Sequence, residues 1–141
     1  MAGKAVREIY CSETVVEDLK IYLASTRKGA LRIGLTLGKH CDSIPFFKEI
    51  FPQARLRNSS HVTRPMKEAV EAALFNRPAK KPLDLDASLT PFQWLVFKAI
   101  TTIPFGETRT YGEVGRMVER PRSARPVGQA LGKNPLPLIF P

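Results

Sequence analysis

Between Arg77 and Thr90 the chain loses its periodicity. The stretch Arg77-Pro-Ala-Lys-Lys-Pro-Leu-Asp-Leu-Asp-Ala-Ser-Leu-Thr90 holds two prolines and clustered charge, with no apolar repeat. Prolines and charges without a buried stripe mark connecting chain, so residues 77–89 read as an interdomain linker. The 141 residues are thereby divided into a first part over 1–76 and a second over 90–141. The two parts follow different periods, and this excludes a single repeating architecture.

In the first part, Asp18 to Thr26 and Leu31 to Leu37 alternate apolar and polar residues over much of their length. Arg27-Lys28-Gly29-Ala30 between them supplies a short turn with a glycine available for positive φ, the pattern of a β-hairpin. Val6 to Cys11 is a candidate third strand. Ile44 to Phe51 and Thr63 to Phe75 read as helices, the second with Met66, Ala69, Val70, Ala73 and Leu74 at helical spacing. The expectation is a small α+β domain with an antiparallel sheet, and nothing in it looks catalytic.

The second part is helical in period. Thr90 suits an N-cap and Pro91 the first helical position, where a missing N–H costs nothing. Phe92, Leu95, Val96, Ala99, Ile100 and Ile103 then fall on one face, and the Ile103-Pro-Phe-Gly106 turn ends the helix. Thr110-x-x-Glu113 has the spacing of a capping box and opens a second helix to about Val118. After Glu119-Arg-Pro-Arg-Ser123 a third helix covers Pro126 to Leu131, stopped by Gly132 and Asn134-Pro135. Two short helices across a tight turn, the second flanked by Arg120, Arg122, Arg125 and Lys133, outline a helix-turn-helix. A plain helical hairpin is the alternative.

Charge narrows the partners. Lysine and arginine number 22 against 13 acids, a net charge of +9, and such a field favours polyanions. No apolar run approaches the roughly 18 residues of a membrane span and none reads as a signal peptide, so a cytoplasmic protein without membrane contact is expected. The two cysteines, Cys11 and Cys41, are too few for a disulfide framework. His40, Cys41 and His61 lack the spacing of a zinc site, and no metal is expected.

Four segments occur in order: Phe92-Gln93-x-x-Val96-Phe97, Ile103-Pro-Phe-Gly-Glu-Thr-Arg-Thr-Tyr111-Gly, Ala124-Arg-Pro-Val-Gly128-Gln-Ala, and Asn134-Pro-x-Pro-x-Ile-Phe-Pro141. The series resembles the methylated-DNA–protein-cysteine methyltransferases, guanine-O6 alkyltransferases that repair DNA. The resemblance is strong over residues 90–141 and looser before them. It implies an α+β fold in which an N-terminal antiparallel sheet with helices precedes an all-helical, winged-helix-like DNA-binding domain. It also implies a partner, double-stranded DNA carrying alkylated guanine, bound by a monomer that needs no cofactor.

The resemblance assigns roles residue by residue. Arg125 is the finger that enters the duplex and fills the space left by a flipped base, a task suited to a planar, permanently charged guanidinium. Tyr111 crowds the target phosphate and helps rotate the nucleotide. Val127, Gly128 and Ala130 are small enough for close approach to the minor groove, and Arg120, Arg122 and Lys133 are phosphate contacts. Asn134 braces the segment that positions the nucleophile, and Pro137 forms a wall of the base pocket. Pro126 replaces the family's usual alanine. Because proline biases the residue before it away from α geometry, Arg125 is expected to be extended just ahead of a helix that begins at Pro126. Phe97 replaces a tryptophan common in the family, while Trp94, beside the apolar stripe, reads as a packing residue.

In the family, the strand ending in proline runs directly into Cys-His-Arg-Val, whose cysteine accepts the alkyl group. That acceptor is expected immediately after Pro141, so residues 1–141 hold no catalytic residue and are expected to be inactive on their own. Leu136 to Phe140 is expected as a core strand. The rival readings are a non-catalytic alkyltransferase-like lesion binder, and a transcription factor that would read base edges in the major groove.

Overall fold

A computed structural model of the chain describes residues 5–38 and 41–140. The chain divides into two compact units, one ending at Ala87 and the other beginning at Ser88.

The first unit is built on a four-stranded sheet. Strands β1 (Glu8–Val16), β2 (Leu19–Thr26) and β3 (Gly29–Leu37) form an antiparallel meander. β2 and β3 match the expected hairpin. β1 runs five residues past the expected Cys11 and turns into β2 through Glu17, which adopts φ 55°. A fourth strand, β4 (Arg55–Asn58), lies parallel to β1 and gives the order β3-β2-β1-β4. The sheet is therefore mixed, not purely antiparallel as expected. β4 has one apolar residue in four, Leu56, and it forms because β1 offers an open edge, not because its own sequence alternates.

Helix α1 (Ser43–Ile50) packs on the sheet through Phe47, which is fully buried with Ile9, Cys11, Tyr22 and Ala24. Phe46 stacks on Tyr22 with ring centroids 4.1 Å apart. Gly34 makes room for that ring, because a Cβ at Gly34 would fall inside Phe46. Helix α2 (Ser60–Leu74) begins three residues before the expected Thr63. Ser59 caps it, accepting a hydrogen bond from the Val62 amide. Pro65 lies in its second turn and the helix runs on through it.

The segment expected as a free linker over 77–89 is tied to the first unit. Ala30 donates its amide hydrogen to Asp84 O at 2.8 Å, and the Asp86 amide donates to Ala30 O at 2.8 Å, a bridge beside β3. The Asp86 carboxylate accepts from the Thr26 hydroxyl at 2.6 Å and pairs with Arg7 at 3.1 Å. Proline and charge end regular structure, as the composition indicates. They do not prevent the intervening Leu83 to Asp86 from pairing with an exposed edge.

The second unit is helical. Helix α3 (Pro91–Thr101) starts with a capping box in which Thr90 Oγ1 accepts from the Gln93 amide and Gln93 Oε1 accepts from the Thr90 amide. Val96, Phe97 and Ile100 are its buried face. Helices α4 (Tyr111–Met117) and α5 (Ala124–Gly132) follow. Leu136 to Phe140 is not the core strand expected: it folds into a turn with a single bridge between Pro137 and Phe140. Pro135 and Pro137 remove two ladder donors, and both ends of the run are drawn inward as Leu136 and Phe140. Phe140 stacks on Phe97 at 4.8 Å and meets the edge of Trp94 at 6.3 Å, which gives both residues a packing role. Among the described residues, no helix is long and apolar enough to cross a membrane.

Candidate nucleic-acid interface

The residues expected to meet DNA lie mostly on two helices and the turn between them. α4 opens with a second capping box: Thr110 Oγ1 accepts from the Glu113 amide at 3.1 Å, and Glu113 Oε2 accepts from the Thr110 amide at 3.0 Å. Glu113 also places negative charge at the positive end of the helix. Tyr111, the first residue of α4, is 54% exposed. Its ring lies on Gly128 of α5, where an added Cβ would come within 2.9 Å of the ring carbon Cε2.

The turn is drawn tightly onto α4. The Arg120 amide donates to Gly115 O at 2.7 Å, and both the amide and the hydroxyl of Ser123 donate to Arg120 O. A Cβ on Gly115 would stand 2.8 Å from Arg120 O, so only glycine leaves space for this approach. Glu119 reverses the chain at φ 60°.

α5 starts at Ala124, two residues before the expected Pro126. Arg125 is therefore helical and second in the first turn, not extended ahead of it. Pro126, at the third position, sits among the amides that have no intrahelical partner, so its missing N–H breaks no bond and the helix is neither kinked nor delayed. Arg125 is exposed, as are Arg120, Arg122 and Lys133. Among the described residues none of these four has an acidic partner. They form an unneutralised positive rim around α5.

Two of the expected DNA contacts face the other way. Val127 is fully buried and Ala130 is 5% exposed. Their i, i+3 spacing puts them together on the inner face of α5, so their size serves helix packing. On the helical spacing of Arg125 the outer face continues through Gly128, Gln129 and Gly132. Gln129 is exposed there, and sequence reasoning misses it because an uncharged polar residue carries no charge signal.

After α5, Asn134 closes the last loop. Its side-chain amide donates to Phe140 O at 2.8 Å, and its side-chain oxygen accepts from the Leu136 amide at 2.9 Å. Pro137 lies inside the loop so formed and is half-buried. The two cysteines are elsewhere, in the first unit. Cys11 is buried, and burial pushes its thiol up to about 11. Cys41 is exposed, and its carbonyl accepts from Tyr22 Oη and Lys20 Nζ. His40 of the zinc grouping considered above lies outside the described residues. Among the described residues no three His, Cys, Asp or Glu side chains come together as metal ligands would.

This arrangement has known counterparts. Residues 91–141 match the model of the 6-O-methylguanine DNA methyltransferase DNA-binding domain. The methylated-DNA–protein-cysteine methyltransferase of Methanosarcina barkeri is 34% identical over 121 residues, covering 86% of this chain and 72% of that protein. The chain belongs to the methylated-DNA–protein-cysteine methyltransferase family. The family member from Mycobacterium tuberculosis is 49% identical over 59 residues, which are 42% of this chain and only 36% of that relative's length. The solved M. tuberculosis O6-methylguanine methyltransferase superposes with a TM-score of 0.70 at 25% identity, over 94% of this chain and 75% of that one. M. tuberculosis OGT crystallised in complex with DNA gives 0.66 at 25% identity, over 95% and 74%. The family's mixed α+β fold is thus the fold of this chain.

Proposed function

We propose that this chain is the DNA-recognition part of a cytoplasmic, monomeric repair methyltransferase that acts once per molecule on guanine alkylated at O6 in duplex DNA. A cysteine thiolate attacks the alkyl carbon. The new S–C bond forms as the bond to guanine O6 breaks, and the purine leaves with the electron pair and is reprotonated. The displacement as written calls on no metal or diffusible cofactor.

The observation that carries this reading is the seating of Tyr111 on Gly128, one turn along α5 from the unpaired guanidinium of Arg125. α5 lies against the groove. Arg125 fills the gap left by the rotated nucleotide, Tyr111 presses the adjoining phosphate, and Arg120, Arg122 and Lys133 hold the backbone without reading sequence. Asn134 braces the turn that carries Pro137 toward the base.

Both cysteines of residues 1–141 belong to the first unit, and neither is proposed as the acceptor. A thiol buried and held near pH 11, like Cys11, is almost wholly protonated at neutral pH and is a poor nucleophile. The repair reading is favoured over a lesion sensor by the M. barkeri match, which covers 86% of the chain and so reaches well into the first unit.

Incubation with DNA carrying radiolabelled O6-methylguanine is expected to leave residues 1–141 unlabelled. Label on Cys11 or Cys41 would refute this assignment. Arg125→Ala is expected to abolish the preference for the lesion duplex over plain duplex in fluorescence anisotropy. Unchanged preference would remove the finger role.

A further inference from the structure

The first unit holds a cleft of about 730 Å³ that the repair reading does not use. The β2–β3 turn, residues 61–72 of α2 and residues 77–84 line it, and six cations are among them: Arg27, Lys28, Arg64, Arg77, Lys80 and Lys81. Three acids share the lining, Glu68, Glu71 and Asp84, and Glu71 is already paired with Lys67. Arg27 and Arg77 lie over the rings of Tyr10 and Phe75 at 5.0 and 5.2 Å. Among the described residues, Arg64, Lys80 and Lys81 have no carboxylate within ion-pair distance.

The fold sets these charges around the cleft. Asp84 is hydrogen-bonded to Ala30, and Gly29 lacks the Cβ that would collide with the Asp84 backbone at 2.5 Å. The segment bearing Lys80 and Lys81 is thus drawn against the β2–β3 turn. Six cations against three acids leave the lining with an excess of positive charge, and a polyanion relieves it.

We propose that this cleft is a second docking surface of the protein, for the sugar-phosphate backbone of nucleic acid. Among the described residues no Phe, Tyr or Trp lines it, and His61 is its one aromatic ring, so it offers little platform for successive bases. Its cations come from three segments, the β2–β3 turn, α2 and residues 77–81, a spread that suits successive phosphates better than one small anion. Among the described residues, none of the exposed large apolar side chains lines it, so the cleft presents none to a bilayer. The surface is independent of α5 and stands whether or not the repair reading does.

The test is a salt titration of binding to a fluorescent, undamaged duplex, with the whole chain and with Arg64→Gln/Lys80→Gln/Lys81→Gln. Each cation that no longer neutralises a phosphate flattens the slope of log K against log salt by about 0.9. The triple variant is expected to flatten it by about 2 to 3, with thermal melting and lesion preference unchanged. Arg64→Lys/Lys80→Arg/Lys81→Arg keeps the charge and is expected to keep the slope. A parental slope in the glutamine variant would overturn the proposal. So would binding of the parent to phosphatidylserine vesicles that the glutamine variant loses while its DNA slope stays parental. Loss of lesion preference in Arg125→Ala, by contrast, bears only on the α5 interface.

Discussion

Gly128 is the position where one added methyl group reaches furthest. A Cβ there stands 2.9 Å from Tyr111 Cε2, and the half-exposed ring has solvent to swing into. Gly128→Ala is therefore expected to cost about 1–2 kcal/mol in denaturant unfolding, within the range of overpacking, while displacing the tyrosine from its seat. In the Tyr111→Ala background the same substitution loses its obstacle, so the double-mutant cycle should be non-additive. Additive effects would place the strain elsewhere. Cys11 gives a second test at this scale. Its thiol is raised from 9.0 to about 11 by burial, so at pH 8 iodoacetamide is expected to modify exposed Cys41 and spare Cys11 until the protein is unfolded, as read by peptide mass. The raised value also fixes a sign. Stability contributed by the neutral buried thiol is complete below the unperturbed value of 9.0 and falls as pH rises from there through about 11.

Within the helix-turn-helix, glycine has opposite effects at two neighbouring sites. Glu119 is held at φ 60°, where a side chain costs roughly 1 kcal/mol or more, so Glu119→Gly is expected to raise the urea midpoint. Gly115→Ala is expected to lower it, since its Cβ would stand 2.8 Å from Arg120 O. If both substitutions shifted the midpoint the same way, the turn geometry would be wrong. Elements defined by period and caps are legible in the sequence: α3, α4 and the β2–β3 hairpin stand where alternation, helical spacing, Thr90 and Thr110 put them. Those defined by a partner are not. β4 exists because β1 has a free edge, and Leu136 to Phe140 turns because Asn134 bonds across it. The start of α5 is hidden by Pro126, whose bias on Arg125 points to a later start, while the open first turn accepts proline at its third position. Charge finds the exposed arginines. Small size alone does not separate Gly128, half-buried under Tyr111, from Val127 and Ala130 inside.

At the scale of the whole chain, composition locates the break between the units but not its edge. The first unit keeps residues up to Ala87 because an acid, a hydroxyl and a guanidinium meet at Asp86. The hydroxyl of Thr26 is the chief cause holding the Asp86 carboxyl below the usual carboxylate range, and Arg7 adds to it. Such a depressed value stabilises the docked segment fully above the unfolded value of about 3.9, and the contribution is lost as pH falls through the lower folded value. The amides of Ala30 and Asp86, bonded across this junction, report on it directly. Their hydrogen-exchange protection factors are expected to decline below about pH 4. Asp86→Asn should show reduced protection already at pH 7 and faster tryptic cutting after Lys80, since Pro82 shields the bond after Lys81. Parental protection in that variant would mean that the backbone bridge beside β3 holds the segment unaided, and the carboxylate would then have no part in setting where the first unit ends.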